Sequence, residues 1–111
     1  MDGLQAINDL NRLQQELGDS IKIMGKCGRK YAIAEKEYRI RAMQETLKER
    51  DKGTPATLIG VIVKGLVADE KFQRDEAEAL WKTAQENCNA IKLQIRVLDN
   101  QVEREWGNSG Q

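Results

Sequence analysis

The sequence has no histidine, only two cysteines and a single proline among its 111 residues. Histidine is the commonest general base and a frequent metal ligand, so its absence removes the usual means of acid–base catalysis and zinc binding. Cys27 and Cys88 have no CxxC spacing, which argues against a structural zinc site. We therefore expect a protein without catalytic residues, metal or cofactor.

Aromatic residues make up only 5% of the chain, and its formal net charge is zero. A neutral chain has no overall attraction to nucleic acid or membranes. No apolar run approaches the roughly 20 residues of a membrane span, and the polar start does not resemble a signal peptide. We expect a cytoplasmic protein with no membrane partner and with free thiols.

Charged residues make up 32% of the chain, a composition typical of long helices and coiled coils. One seam dominates the C-terminal half, where apolar or small side chains recur in alternating steps of four and three. Its members are Ala77, Trp81, Ala84, Cys88, Ile91, Ile95, Leu98 and Val102. This pattern predicts a helix over about 67–106 that packs along another helix, followed by a frayed tail, 107–111.

The N-terminal half carries a second seam with the same alternation. Its members are Leu10, Leu13, Leu17, Ser20, Met24, Cys27, Tyr31, Ala34 and Tyr38. The phase continues through the glycines, so it predicts one helix over about 3–52 and allows a kink near Gly18. Gly25 and Gly28 each cost about 1 kcal/mol inside a helix, which suggests that another backbone, or a second chain of an oligomer, packs closely against this small-residue face.

The connector TPATLIGVIVKG is rich in β-branched residues and could also form a strand. A single strand would have no partner, so we predict a short helix over about 55–64. Thr54 is expected as its N-cap, Pro55 as its first residue and Gly65 as its end.

The predicted fold is therefore a single all-α domain, 1–111. It is an antiparallel, coiled-coil-like hairpin of long helices with a short helix in the connector. Its thin core favours a homo-oligomer.

The two seams also predict a register. In an antiparallel pair, the numbers of facing residues sum to a constant. Tyr38 with Trp81 and Tyr31 with Cys88 give 119, while Ala34 with Ala84 gives 118. The centre of this register falls between residues 59 and 60, inside the connector, and we expect Tyr38 to contact Trp81.

Two surfaces are candidates for binding. Four cations form the first, Lys26, Arg29, Lys30 and Arg39, and could contact nucleic-acid phosphates, a small anionic ligand or only the acidic segments of the chain itself. No aromatic side chain is interleaved with them for base stacking. The second is the apolar connector, with Leu58, Ile59 and Ile62, which must cover the hairpin tip or bind a partner.

The segments YRIRAMQETLKERDKGTPATLIGVIVKG and RDEAEALWKTAQENCNAIKLQIRVLDNQVEREW carry a resemblance. Over about Tyr31 to Trp106, the chain resembles small helical proteins encoded in the early or recombination regions of phages and prophages of Gram-positive bacteria. The resemblance runs through the Tyr38-Arg39 step, the Gly53-to-Gly65 connector and the Trp106 ending. It transfers no site residues and implies a phage gene that acts by binding.

Three hypotheses follow for the function. The first is a non-catalytic phage protein, such as an anti-defence inhibitor, that binds a host protein in the host cytoplasm. The second is a nucleic-acid-binding accessory of phage recombination or replication. The third is an oligomeric sponge that encloses a small nucleotide signal, with Arg and Tyr side chains near a small-residue interface.

Overall fold

A computed structural model describes residues 3–109, and this range is helical apart from a short turn and one junction residue. Helix α1 spans Gly3–Asp51, α2 spans Ala56–Leu66 and α3 spans Ala68–Ser109. The all-α class is confirmed, and the connector forms a helix instead of a strand. Of the expected tail, 107–109 continue α3, while 110–111 lie outside the described residues.

The chain divides into two compact units. The terminal unit comprises Met1–Gly25 and Lys82–Gln111, and the hairpin unit comprises Lys26–Trp81. Each is an antiparallel helix pair, because Gly3 lies against Trp106 in the terminal unit and Tyr31 stacks on Trp81 in the hairpin unit.

The core of the terminal unit is a single seam of small and medium-sized side chains. Its buried members are Ala6, Leu13, Ser20, Ala84, Cys88 and Ile91. The Ser20 hydroxyl lies 3.1 Å from the Cys88 sulfur, and Asn87 Nδ2 donates a hydrogen bond of 2.9 Å to the Ser20 oxygen. The seam thus contains one polar layer whose groups satisfy each other.

Helix α1 ends in a tight turn around Gly53. The Gly53 N–H donates to the Arg50 carbonyl at 3.0 Å, and the Thr54 N–H donates to the Glu49 carbonyl at 3.1 Å. This pair of bonds is the Schellman motif, which requires a left-handed residue one position past the C-cap. Gly53 supplies it with φ of 78°, the only positive φ among the described residues.

The start of α2 differs from the prediction in its cap. Pro55 occupies the N-cap position, where no side-chain hydrogen bond closes the first turn. The Thr54 hydroxyl instead donates to Glu49 Oε2 at 2.7 Å. The carboxylate of Glu49 is buried, and a buried charge without hydrogen-bond donors is costly. The start of α2 is exposed to solvent, so the loss of a side-chain cap there costs less.

Gly65 does not end α2, contrary to the prediction. The helix continues to Leu66, and Val67 alone separates it from α3. The Val67 N–H bonds to the Val63 carbonyl and the Lys71 N–H bonds to the Val67 carbonyl, both at 3.0 Å. These bonds have helical spacing, so α2 continues into α3 with only a local distortion. Burial of Val63 and Val67 on the same side explains why the chain does not turn away here.

The predicted register is wrong by about one heptad in the hairpin unit and by about ten residues in the terminal unit, where Ser20 meets Cys88, with numbers that sum to 108. Trp81 stacks on Tyr31, whose numbers sum to 112, and not on Tyr38. Arg74 lies over Tyr38, again with a sum of 112, and Arg41 pairs with Glu70 for a sum of 111.

The physical reason lies in the position of the turn. The chain reverses at residues 52–55, and α2 is already part of the returning leg. A heptad seam looks the same after a shift of seven residues, so the pattern alone could not choose between the two registers.

Replacement of Gly53 by alanine should destabilise the protein by about 1–2 kcal/mol, because an L-residue pays that cost in a left-handed conformation. Gly60→Ala is the matched control. Gly60 lies inside α2 and a Cβ there meets open space, so alanine should stabilise by up to about 1 kcal/mol. Urea denaturation followed by circular dichroism measures both. Equal effects of the two changes would contradict the assignment of the turn.

Candidate binding surfaces

Helix α2 is the most apolar segment of the chain, and most of it faces solvent. Its sequence, ATLIGVIVKGL, contains one charged residue, Lys64, and only Val63 is fully buried. Val61 is 72% exposed and Leu58 is 51% exposed, while Ile59 is half-buried. A contiguous exposed apolar surface of this kind is typical of an interaction site.

The exposed side chains of α2 form two separate rows. The first, called the tip row, contains Leu58, Ile62 and Leu66, at positions i, i+4 and i+8. The second continues into α3 on the side opposite the buried seam, and we call it the α3 outer row. Its members are Val61, Gly65, Ala68 and Phe72, spaced by four, three and four residues.

Beneath α2, the end of α1 buries two carboxylates, those of Glu45 and Glu49. Glu45 accepts hydrogen bonds from Arg41 at 3.0 Å and Lys48 at 3.3 Å. Burial works to raise the pKa of Glu45, but the hydrogen bonds and charges of Lys48 and Arg41 outweigh it, so its pKa lies below 4.5. These carboxylates hold the basic end of α1 in place and are not available to a ligand.

Three of the four aromatic residues of the hairpin unit, Tyr31, Tyr38 and Trp81, are occupied within the seam, whereas Phe72 is exposed. The rings of Tyr31 and Trp81 stack with centroids 5.4 Å apart and planes 16° apart. The Arg74 guanidinium lies 4.6 Å from the centroid of the Tyr38 ring, in cation–π geometry. Arg74 also donates a hydrogen bond of 2.9 Å to Asp75. This bond, together with the negative charges of Asp75 and Glu35, raises the pKa of Arg74, although burial of the guanidinium works against the shift.

The two interior glycines of α1 have different surroundings. At Gly28, an added Cβ would lie 3.0 Å from Nε1 of Trp81, so the glycine makes room for the indole. At Gly25, an added Cβ would meet nothing within 4 Å. A close approach therefore exists at Gly28, but the neighbour is the side chain of Trp81 and not the predicted backbone.

The four predicted cations do not form one patch. Lys26, Arg29 and Lys30 are exposed neighbours on α1. Arg39 lies nine residues, about 14 Å, beyond Lys30 along the helix. At 100° per residue it is turned about 180° from Lys30 and about 80° from Arg29. Arg39 also donates to Glu35 at 2.6 Å, and this bond, with the Arg39 and Arg74 charges, holds the pKa of Glu35 below 4.5.

A feature that the sequence reasoning missed lies on the side of α1 opposite its seam. We call it the α1 outer row, and it again alternates steps of three and four. Its members are Lys26, Arg29, Ile33, Lys36, Ile40, Met43, Leu47 and Arg50, all exposed. Four are basic, four are apolar and none is acidic. The spacing was visible in the sequence, but the stronger apolar seam on the same helix concealed it.

The terminal unit also carries open grooves. One of them, with a volume of 420 Å³, has mainly polar walls, including Lys82, Glu86 and Lys92. Within residues 3–109, no three or more cysteine or acidic residues are grouped so that they could hold a metal ion. Over the same range, no helix has both the length and the apolarity needed to cross a membrane.

No protein-family model matches the chain, and no curated protein or solved structure matches it either. Its function is therefore argued from its own surfaces.

The two interior glycines give a matched test of the Trp81 contact. Gly25→Ala should stabilise the protein by about 1 kcal/mol, the helix-propensity gain of alanine. Gly28→Ala should be at least about 1 kcal/mol less stable than Gly25→Ala, because overpacking against a ring fixed by Tyr31 offsets that gain. Urea titrations give both free energies of unfolding. Equal stabilisation by the two changes would show that the indole can move away freely.

Acid should destabilise the hairpin unit. The pKa values of Glu35 and Asp75 lie below 4.5 and 3.8, respectively, and hydrogen bonds from Arg39 and Arg74 are the largest causes. A lowered folded-state pKa stabilises the fold above the unfolded-state pKa, and this stabilisation disappears as the pH falls through the folded-state pKa. The melting temperature should therefore fall between about pH 5 and pH 3.

The Glu35→Gln variant should show a shallower decline, because it lacks one of the carboxylates responsible. Glu37→Gln is the control, since Glu37 forms no ion pair within the described part of the chain. A decline of the same depth in both variants would exclude the Glu35 pairs as a source of acid sensitivity.

Proposed function

We propose that this chain is a non-catalytic binding protein of phage origin that engages a host protein through the tip row of α2. The observation that carries the proposal is the exposure of Leu58, Ile62 and Leu66 on a helix with a single charge. An inhibitor of a host defence system is the biological role that fits the phage resemblance of residues 31–106.

The spacing of the tip row supports a helix-in-groove mode of binding. Side chains at i, i+4 and i+8 project from one side of a helix and can enter an apolar groove of a partner. Helix α2 needs no induced folding, because it is held at its start by the Gly53 turn and at its end by the buried Val63 and Val67. A pre-formed helix avoids most of the ordering cost of binding.

Charges around the tip define the partner further. Arg50 and Lys64 are exposed in the last turns of α1 and α2. No acidic side chain lies within α2 itself. The partner suited to this tip has an apolar groove about two to three turns long, and acidic residues at its edge favour docking and specificity.

The other two functions have less support. Nucleic-acid binding would depend on Lys26, Arg29 and Lys30, because Arg39 lies farther along the helix and pairs with Glu35. A nucleotide sponge would need free Arg and Tyr side chains near a small-residue interface. Tyr31 and Trp81 stack on each other, and Tyr38 lies against Arg74.

The test is affinity capture from host lysate with matched variants. Ile62→Gln with Leu66→Gln should lose the partner, because removal of each buried apolar side chain costs about 1.5–3 kcal/mol and weakens binding at least about 100-fold for the pair. Arg29→Glu with Lys30→Glu should retain it. Circular dichroism verifies that both variants keep their helix content.

The opposite result, with loss only in the Arg29 and Lys30 variant, would overturn the tip-row proposal. A salt titration with single- and double-stranded DNA then tests the nucleic-acid alternative, because phosphate-driven affinity is strongest at low ionic strength.

A further inference from the structure

We infer that the hairpin unit docks onto a second copy of itself, with the α1 outer row of one copy against the α3 outer row of the next. The inference specifies how the expected self-association would occur. It uses side chains outside the tip row, so it stands independently of the proposed host partner.

The α1 outer row has a length and spacing suited to a helical neighbour. Positions spaced by three and four residues present one continuous side of a helix to another helix. Ile40 is 40% exposed and Met43 is 60% exposed, although the hairpin seam is complete without them. The middle of the row is apolar, at Ile40, Met43 and Leu47. Its part farther from the turn is mainly basic, at Lys26, Arg29 and Lys36, with Ile33 among them, and Arg50 ends the row beside the turn.

The α3 outer row is arranged in the same order but with the opposite charge. Near the turn it presents Val61, Gly65, Ala68 and Phe72, and Phe72 is 66% exposed. Farther from the turn, the next positions are acidic, Asp75 and Glu76. Arg74 and Lys71 already pair with Asp75, while Glu76 is exposed.

The order of apolar and charged residues along the two rows favours one relative orientation of the two copies. When the turns of both copies lie at the same end, Ile40, Met43 and Leu47 meet the apolar part of the other row, and Lys36 lies level with Asp75 and Glu76. Arg50 lies at the end of the row, at the edge of this contact. The reversed orientation places Lys36 and Arg29 against apolar side chains, which would bury unpaired charge. An α1 row against another α1 row would bring like charges together, with no acid to compensate.

Small residues at the centre of the α3 outer row favour close approach. A Cβ added to Gly65 would meet no atom within 4 Å, and Ala68 follows on the same side. Larger side chains of a neighbouring α1, such as Met43 and Leu47, can therefore pack closely over Gly65 and Ala68 in the manner of knobs entering holes. The contact is heterologous, so it produces a ring if the rotation between copies closes and an open row of copies if it does not.

The test uses one blocking substitution on each face of the full chain. Ile40→Glu disables the α1 row and Phe72→Glu disables the α3 row, and both positions are exposed, so the hairpin should fold. Sedimentation velocity should show concentration-dependent assembly of the unmodified protein. For each variant alone, the self-association Kd should rise at least about tenfold, the loss of one buried apolar side chain.

An equimolar mixture of the two variants should form a 1:1 heterodimer, because each supplies the intact face that the other lacks. The tip-row variant Ile62→Gln with Leu66→Gln should assemble like the unmodified protein, which separates this test from that of the host partner. If circular dichroism shows that either variant has unfolded, Met43→Glu and Ala68→Glu replace them.

Several results would overturn the inference. A monomeric unmodified protein at about 100 μM would do so, since a specific interface should be populated well above a micromolar Kd. Loss of assembly in only one variant would indicate a symmetric contact of one face with itself. A mixture that stays monomeric would show that the two rows do not meet.

Discussion

The left-handed turn at Gly53 is the constraint on which the hairpin depends. It reverses the chain within residues 52–55, so the returning leg starts with α2 and not after it. That choice brings Trp81 to the level of Tyr31 and Arg74 to the level of Tyr38. It also leaves α2 with one buried side and a broad apolar surface, since a single opposing helix can cover only one side.

The helices could be predicted from the sequence because their signals are local. Alternating steps of three and four residues indicate a helix wherever its partner lies, and Gly53 with Pro55 marks the break between two helices. The register is a different kind of information. It depends on where the turn closes, and a seam with a seven-residue repeat carries no mark that distinguishes one heptad from the next.

The sequence did contain a clue to the correct register. The alternation of the C-terminal seam extends back from Trp81 through Arg74 and Glu70 to the buried Val67 and Val63. Two charged residues interrupt its apolar character, and they face Tyr38 and Arg41 in the hairpin. A reading based on hydrophobicity alone ends the seam too early, and it overlooks the α1 outer row because that row mixes lysine and arginine with isoleucine and leucine.

The polar layer in the terminal unit has a consequence for alternative alignments of that helix pair. A slip of seven residues along α3 in one direction would bring Trp81 to the place of Cys88 and Leu80 to the place of Asn87. The buried Ser20 hydroxyl would then lose both polar neighbours, and an unsatisfied buried polar group costs about 1–3 kcal/mol. The contacts of Ser20 with Cys88 and Asn87 thus disfavour this misalignment, which the repeating apolar side chains around them cannot do.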